Sequence, residues 1–326
     1  MKVAIIGANG QLGTDLAKVF KGINQELRTN NQEPRTNNQQ PSTNNQEPTT
    51  KNQEPRTKNQ QPTYEVIPLT HADIEITDID SVKKQLTGYK PDVVINTAAY
   101  VRVDDCEIYP EKAFLVNTTG ALNVAKISDE IGAIDVYIST DYVFDGEKCE
   151  PYTEKDLPNP LNVYGMSKYA GEIFTRNYSR KYYIIRVASL YGKAGASGKG
   201  GNFVETMIKK AKNKEKITVV DDMVMSPTYT RDAARAIKKI IEKDLPYGIY
   251  HASNSGFCSW YEFAKKIFEL LNLEVDLKPI SAKNLTRKAK RPIFSALENK
   301  KLSKHNLKMP SWQEGLKKYL YEKGYL

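Results

Sequence analysis

The sequence is poor in the residues that staple or metallate a fold. It has three cysteines, Cys106, Cys149 and Cys258, and three histidines in 326 residues. An odd, widely spaced cysteine set excludes a disulfide framework and a cysteine-based metal knuckle. It points to a reducing, cytoplasmic compartment. No clear ligand cluster for a metal is present. No apolar run approaches the ~20 residues of a membrane span, and the opening MKVAIIGANGQLG has too short an apolar core for a secretory signal; no membrane partner is expected. Acidic residues are the minority charge, 39 against 48 basic, for a net charge of +9. That excess would suit a polyanion. Basic runs interleaved with aromatics are missing, however, so no nucleic-acid partner is expected. The densest basic stretch, KNLTRKAKR (283–291), reads as a solvated face.

Apolar residues are wholly lacking from one segment. Residues 29–63 are five copies of a seven-residue unit, TNNQEPR, TNNQQPS, TNNQEPT, TKNQEPR and TKNQQPT, and NQELR (24–28) resembles a decayed sixth. A seven-residue period without apolar positions offers no coiled-coil seam, and a proline in each unit removes a helix hydrogen bond. The expectation is a disordered insertion over about 24–63, inert toward turnover and stability.

Elsewhere the pattern alternates. KVAII (2–6), YEVIPL (64–69), DVVINTAA (92–99), DVYIST (135–140) and YYIIRVA (182–188) read as strands. Helical stretches lie between them, at about 12–20, 78–89, 111–132 and from residue 162 onward. This order implies βαβ units and an α/β fold with a parallel sheet. The continuous apolar strands imply burial on both faces. Beyond residue 190 the pattern loosens into short strands (KITVV, GIYHAS, EVDLKPI) and helices 203–213, 230–243 and 259–272. Trp260, Phe263, Ala264, Ile267, Phe268 and Leu271 fall at helical spacing and read as core.

Three motifs carry chemistry. GANGQLG places Gly7, Gly10 and Gly13 at the first strand–helix junction, where backbone amides and a helix N-terminus suit a pyrophosphate. A plain tight turn is the competing reading. The acid expected to bind a ribose hydroxyl does not follow the second strand; His71 stands there instead, which favours NADPH, or use of both NADPH and NADH. NVYGMSKYAGE (162–172) sets Tyr164 and Lys168 one helical turn apart. A lysine on the same face should lower the phenol's pKa and fit it for proton transfer, and the small neighbours should leave room for a cofactor. YISTDYVFDG (137–146) ends a strand with Ser139, Thr140 and Asp141. Thr140 can pair with Tyr164 on a substrate oxygen.

With these motifs, the sequence resembles the extended short-chain dehydrogenase/reductase family, and within it the dTDP-4-dehydrorhamnose reductase branch. The segments that carry the likeness are GANGQLG, DVVINTAAY, VDDCEIYPEKAFLVN, STDYVFDG, NPLNVYGMSKYAGE, GNFVETMIKKAK, SPTYTRDAARAI and Arg291–Leu297. The resemblance implies a Rossmann-type doubly wound parallel sheet as an NAD(P)-binding domain over 1–190. It implies a small, discontinuous C-terminal substrate lobe, mainly 191–326, with some segments returning to the sheet. It implies NADPH (or NADH) reduction of the 4-keto group of a dTDP-4-dehydro-6-deoxy sugar, giving dTDP-rhamnose. By position, Thr140, Tyr164 and Lys168 are the catalytic set. Gly7, Asn9, Gly10, Gln11, Leu12, Gly13, His71, Glu75, Ile76, Ala98, Ala99 and Tyr100, with Tyr164 and Lys168, fall to the cofactor. Val103, Asp104, Thr140, Asp141, Ser189, Asn202 and Arg291 fall to the substrate. Some relatives dimerise, so a homodimer is a candidate assembly.

Tyr142 stands where related dehydratases carry a glutamate, which argues for simple carbonyl reduction. Ser189, Met223, Met225, Phe294 and Val101 depart from the branch at positions expected near the substrate. Two alternatives stay open: a reductase of another sugar nucleotide, and a non-catalytic NADP-binding subunit resembling the regulatory β subunit of methionine adenosyltransferase.

Overall fold

The computed structural model describes residues 1–22, 63–195 and 201–326. The repeats, apart from Thr63, lie outside the described residues, so the expectation of disorder there is not addressed. Six parallel strands form the central sheet: β1 (Lys2–Ile6), β2 (Glu65–Leu69), β3 (Val93–Asn96), β4 (Ile134–Thr140), β5 (Tyr182–Val187) and β6 (Gly248–His251). Their spatial order is β6-β5-β4-β3-β1-β2. The order reverses between β1 and β3, and a crevice opens there beyond the carboxyl ends of the strands.

Successive side chains of a strand point to opposite faces, and here both faces are buried. Val3, Ile5, Val93, Ile95, Val136 and Ile138 pack with α1 (Gln11–Phe20) and the later helix Thr230–Glu242. Ala4, Ile6 and Val94 face α2 (Ile79–Tyr89) and the helix Gly120–Glu130 on the other side. The doubly wound sheet expected from the alternating pattern is therefore present.

The helix expected over 111–132 is instead three pieces after α3 (Val103–Ile108): α4 (Pro110–Phe114), a π-helical turn Leu115–Thr119, and α5 (Gly120–Glu130). Single π turns are frequent at functional sites. This one lets the Asn117 side chain reach both the loop after β3 and the next helix, α6 (Val163–Tyr178).

A second hydrophobic core lies beyond the sheet. Met207 and Ile208 of α7 (Phe203–Lys212) pack with Phe263, Ile267 and Phe268 of the helix Trp260–Leu270, and with Leu316 and Tyr319 of the helix Trp312–Glu322. The apolar stripe read from the sequence is thus core. Among the described residues, no helix is long and apolar enough to cross a membrane.

Candidate active site

The site is built at the C-terminal edge of β1, β3 and β4. Gly7 ends β1 with φ at +78°, a conformation glycine adopts without steric cost. A Cβ there would stand 2.7 Å from Thr97 Oγ1. A Cβ on Gly13 would collide with the Gly7 carbonyl oxygen, so α1 crosses the turn in backbone contact. Gly10 caps α1 without a side chain, and no acid lies in the first turn. The amide-rich, positive end of α1 is left to an anion. This cradle fits a dinucleotide pyrophosphate. Asn9 is exposed at the turn. The side chains of Gln11 and Leu12 are committed elsewhere, so their contribution to the cradle is main-chain. Gln11 Nε2 donates to the Leu190 carbonyl at 2.9 Å, and Leu12 sits in the core.

At the end of β2, His71 is exposed, with Nδ1 3.4 Å from Glu75. Glu75 Oε1 accepts from Thr77 N and Oγ1 at 2.9 and 2.7 Å. Burial would raise the Glu75 pKa, but these bonds and His71 hold it below its usual value. The Ile76 carbonyl accepts from Asn123 Nδ2 at 2.9 Å, and its side chain packs on Gly120. After β3, Ala98 and Ala99 are half-buried. Asn117 clamps Tyr100: Oδ1 accepts from Tyr100 N at 2.8 Å, and Nδ2 donates to Tyr100 O at 3.1 Å and to Ser167 Oγ at 2.9 Å.

Helix α6 starts from a double cap. Asn162 Oδ1 accepts from Gly165 N at 2.8 Å, and Glu107 Oε1 accepts from Val163 N at 2.9 Å. This aims Tyr164 at the end of β4, where its hydroxyl meets the Thr140 side chain. Thr140 Oγ1 also donates to Asp141 Oδ1 at 3.0 Å, and Asp141 Oδ2 accepts from Ser295 Oγ at 2.6 Å. Burial pushes the Asp141 carboxyl up to about 6 against these two bonds. Thr140, Asp141 and Tyr164 are therefore brought together as expected from the motifs.

Two expectations about α6 need correction. Lys168 does not bring the Tyr164 phenol below its usual pKa here. Burial raises the phenol's pKa, the Thr140 hydrogen bond opposes it, and Asp141 adds repulsion. The Lys168 ammonium lies 4.0 Å from the centroid of the Tyr137 ring, and burial lowers its own pKa to about 7 against the attraction of Glu172. Desolvation outweighs the single favourable pairing. Gly165 and Gly171, moreover, face protein rather than a cofactor. A Cβ on Gly165 would strike the Tyr142 carbonyl, and one on Gly171 the Tyr137 hydroxyl. They let α6 press onto β4.

Of the residues expected at the substrate, Val103 opens α3 half-buried. Asp104 and Arg291 pair with each other at 3.1 and 2.7 Å. The Arg291 charge acts on Tyr142, whose ring stands edge-on to Tyr164 at 5.9 Å. Ser189 follows β5 with φ at +43°. Asn202 is not part of this constellation. It caps α7 through Glu205 N at 3.1 Å and donates to Gly192 O and Tyr319 Oη at 3.0 and 3.1 Å. Met225 is buried in the second core, Met223 is buried with its sulfur 3.1 Å from Arg287, and the Phe294 ring meets Phe257. These departures from the branch are repacked into protein contacts.

Sequence reasoning missed the supporting groups: Asn117, Tyr137, Glu172 and Arg186. Glu172 alone left a signal, one turn beyond Lys168.

A sequence model of the family described as RmlD substrate binding domain matches residues 1–324. The spore coat polysaccharide biosynthesis protein SpsK of Bacillus subtilis is 43% identical over 260 residues, 80% of this chain and 89% of that protein. The dTDP-4-dehydrorhamnose reductase of Escherichia coli K12 is 35% identical over 259 residues, 76% of this chain and 85% of the relative. The crystal structure of dTDP-4-dehydrorhamnose reductase from Bacillus anthracis in complex with NADP superposes with a TM-score of 0.81 at 39% identity, covering 98% of this chain and 99% of that one. The UDP-glucose 4-epimerase of Thermus thermophilus, solved with NAD, shares the fold at a TM-score of 0.73 and 18% identity, over 98% of each chain. With the glycine cradle, the threonine–tyrosine pair and a match over nearly the full length, the chain belongs to the RmlD substrate binding domain family, within the short-chain dehydrogenase/reductase fold.

Proposed function

We propose that the protein is an NADPH-dependent oxidoreductase that reduces the 4-keto group of a dTDP-4-dehydro-6-deoxy sugar, converting dTDP-4-dehydrorhamnose to dTDP-rhamnose, with NADH as a second cofactor. The observation that carries this reading is the Thr140–Tyr164 contact at the sheet edge, with Lys168 buried one turn behind it. Relatives bearing the reductase name, over most of their length, support the substrate class.

When bound, the nicotinamide dinucleotide supplies the hydride. The chain does the rest. The amides of the Gly7–Gly13 turn hold the pyrophosphate. Tyr164 donates its phenol proton to the substrate oxygen as charge develops there, and the Thr140 hydroxyl offers that oxygen a second hydrogen bond. The phenol is neutral at physiological pH, so it arrives carrying the proton it donates. With the cofactor bound, Lys168 would hold its ribose. The second core supplies the sugar-nucleotide wall, with Arg291 and Tyr142 at the seam. The Glu75 carboxyl is already committed to Thr77 and faces the exposed His71, which supports NADPH over strict NADH.

The reading extends to a cytoplasmic enzyme, because Cys149 is a free, exposed thiol that suits a reducing compartment. It also extends to a homodimer, because Ile108, Tyr109, Phe114 and Leu115 leave apolar surface on α3, α4 and the π turn; sedimentation tests this. The decisive experiment follows NADPH oxidation with dTDP-4-dehydrorhamnose. Turnover that yields dTDP-rhamnose is expected. Tight NADP binding without turnover of any 4-keto sugar nucleotide would overturn the assignment.

A further inference from the structure

Glu172 stands one turn beyond Lys168 on the same face of α6, and each is only 2% exposed. Both carboxylate oxygens of Glu172 are fixed. Ser139 Oγ donates to Oε1 at 2.5 Å, Arg186 Nε to Oε1 at 2.9 Å, and Arg186 Nη2 to Oε2 at 2.7 Å. Ser139 comes from β4 and Arg186 from β5, so two neighbouring strands grip one side chain of the helix. A buried ion pair of this kind adds little net stability over an apolar replacement. The clamp therefore calls for another role, and Lys168 supplies one.

The Lys168 ammonium rests on the face of Tyr137, which attracts a cation but does not neutralise it. The titratable groups on the elements packed around α6 are Asp135 and Tyr137 on β4, Asp141 and Tyr142 just after it, Tyr182, Tyr183 and Arg186 on β5, Asp104, Asp105, Cys106 and Glu107 on α3, Glu111 and Lys112 on α4, and Lys126, Asp129 and Glu130 on α5. Tyr164, Tyr169, Glu172, Arg176 and Tyr178 are on α6 itself. Among these, Glu172 is the group whose charge acts on Lys168 against the cost of burial.

We propose that Glu172 is a positioning residue: its carboxylate, clamped by Ser139 and Arg186 one turn from Lys168, keeps the buried Lys168 ammonium charged behind Tyr164. This rests on the reading of Lys168 as part of the reductase site. Losing the Glu172 charge favours neutral Lys168, so the activity limb that falls as Lys168 deprotonates moves to lower pH.

The test is the pH profile of kcat for E172Q and for E172M/R186M, with the Lys168 titration followed by NMR on protein labelled at the lysine ε-carbon. The double variant removes both ends of the ion pair together, so no unpaired charge is left in the core if E172Q fails to fold. The expected result is a downward shift of both the kinetic limb and the Lys168 titration by about one pH unit or more, with activity recovering toward the wild-type value at the acid end. A folded double variant with an unmoved Lys168 titration would overturn the proposal. Absence of turnover in the wild type would overturn the functional reading alone, because the NMR titration needs no substrate.

Discussion

Asp104 and Arg291, both expected to meet substrate, meet each other: the guanidinium grips the two carboxylate oxygens at 3.1 and 2.7 Å. The pair ties α3, beside the helix that carries Tyr164, to the C-terminal segment around Arg291. Arg291 holds the Asp104 carboxyl down at about 2, below its usual 3.8. A carboxylate with a depressed folded pKa stabilises the fold above the unfolded value and loses that contribution as pH falls through the folded one. The stability gap between wild type and D104N should therefore be full above about pH 4 and narrow toward pH 2. Because Asp104 is 41% exposed, the gap should be about 1 kcal/mol or less, read as a Tm difference of a few °C. The Michaelis constant for the sugar nucleotide should rise as Arg291 loses its orientation.

Tyr164→Phe keeps the ring and its edge contact with Tyr142 but removes the proton donor. Loss of a positioned general acid should lower kcat by about 100- to 10,000-fold. NADP affinity should stay near wild type. A variant with unchanged kcat would contradict the role given to the phenol.

Lys168→Met should separate function from stability. Burial depresses the Lys168 pKa to about 7 in the folded chain, so a folded-state penalty is present below that pH, where the buried amine carries charge. The penalty is relieved between about 7 and the unfolded value of about 10.4, because the unfolded chain still binds the proton there. K168M should thus melt higher than wild type near pH 6 and lose that advantage as pH rises toward 10. It should also lose most of its activity. Melting curves across this range, with kcat at each pH, check both halves.

Asn117→Ala removes three hydrogen bonds that join the loop after β3, the π turn and α6. At about 1 kcal/mol each, the cost should be about 3 kcal/mol, or several °C in Tm. Activity should fall as well, because Ser167, which loses the Asn117 donor, sits between Tyr164 and Lys168.

Gly13→Ala brings a Cβ against the Gly7 carbonyl oxygen and within 2.9 Å of Ala8 Cα. The main chain has to move apart there. NADP binding should weaken more than tenfold, while the second core keeps its packing. Calorimetric titration with NADP measures the first effect and a near-ultraviolet spectrum the second.

Much of this was legible in the sequence because the signals are local. Strand KVAII followed by GANGQLG specifies a turn that only glycines complete, and the alternating strands and helices predict a buried parallel sheet. Thr140 and Tyr164 were readable because strand ends and helix starts meet at one sheet edge. The electrostatics were not. Spacing places Lys168 beside Tyr164, but the sign of the phenol's shift is set by desolvation, a property of everything packed around it. Asn202 misled for a related reason: an asparagine that caps a helix and one that binds a sugar look alike until their partners are known. The π turn was hidden too, since its residues keep helical spacing on either side.

The ends of α1 and β2 give the chain an unusual freedom. Phe20 closes α1, and Glu65 opens β2 at the amino-terminal rim of the sheet, opposite the rim that carries Gly7 and Thr140. The 44 residues between them, 21 to 64, hold the whole heptad tract. A change in the number of heptads therefore enters the chain at the rim away from Gly7 and Thr140, between two elements whose ends are fixed by the sheet.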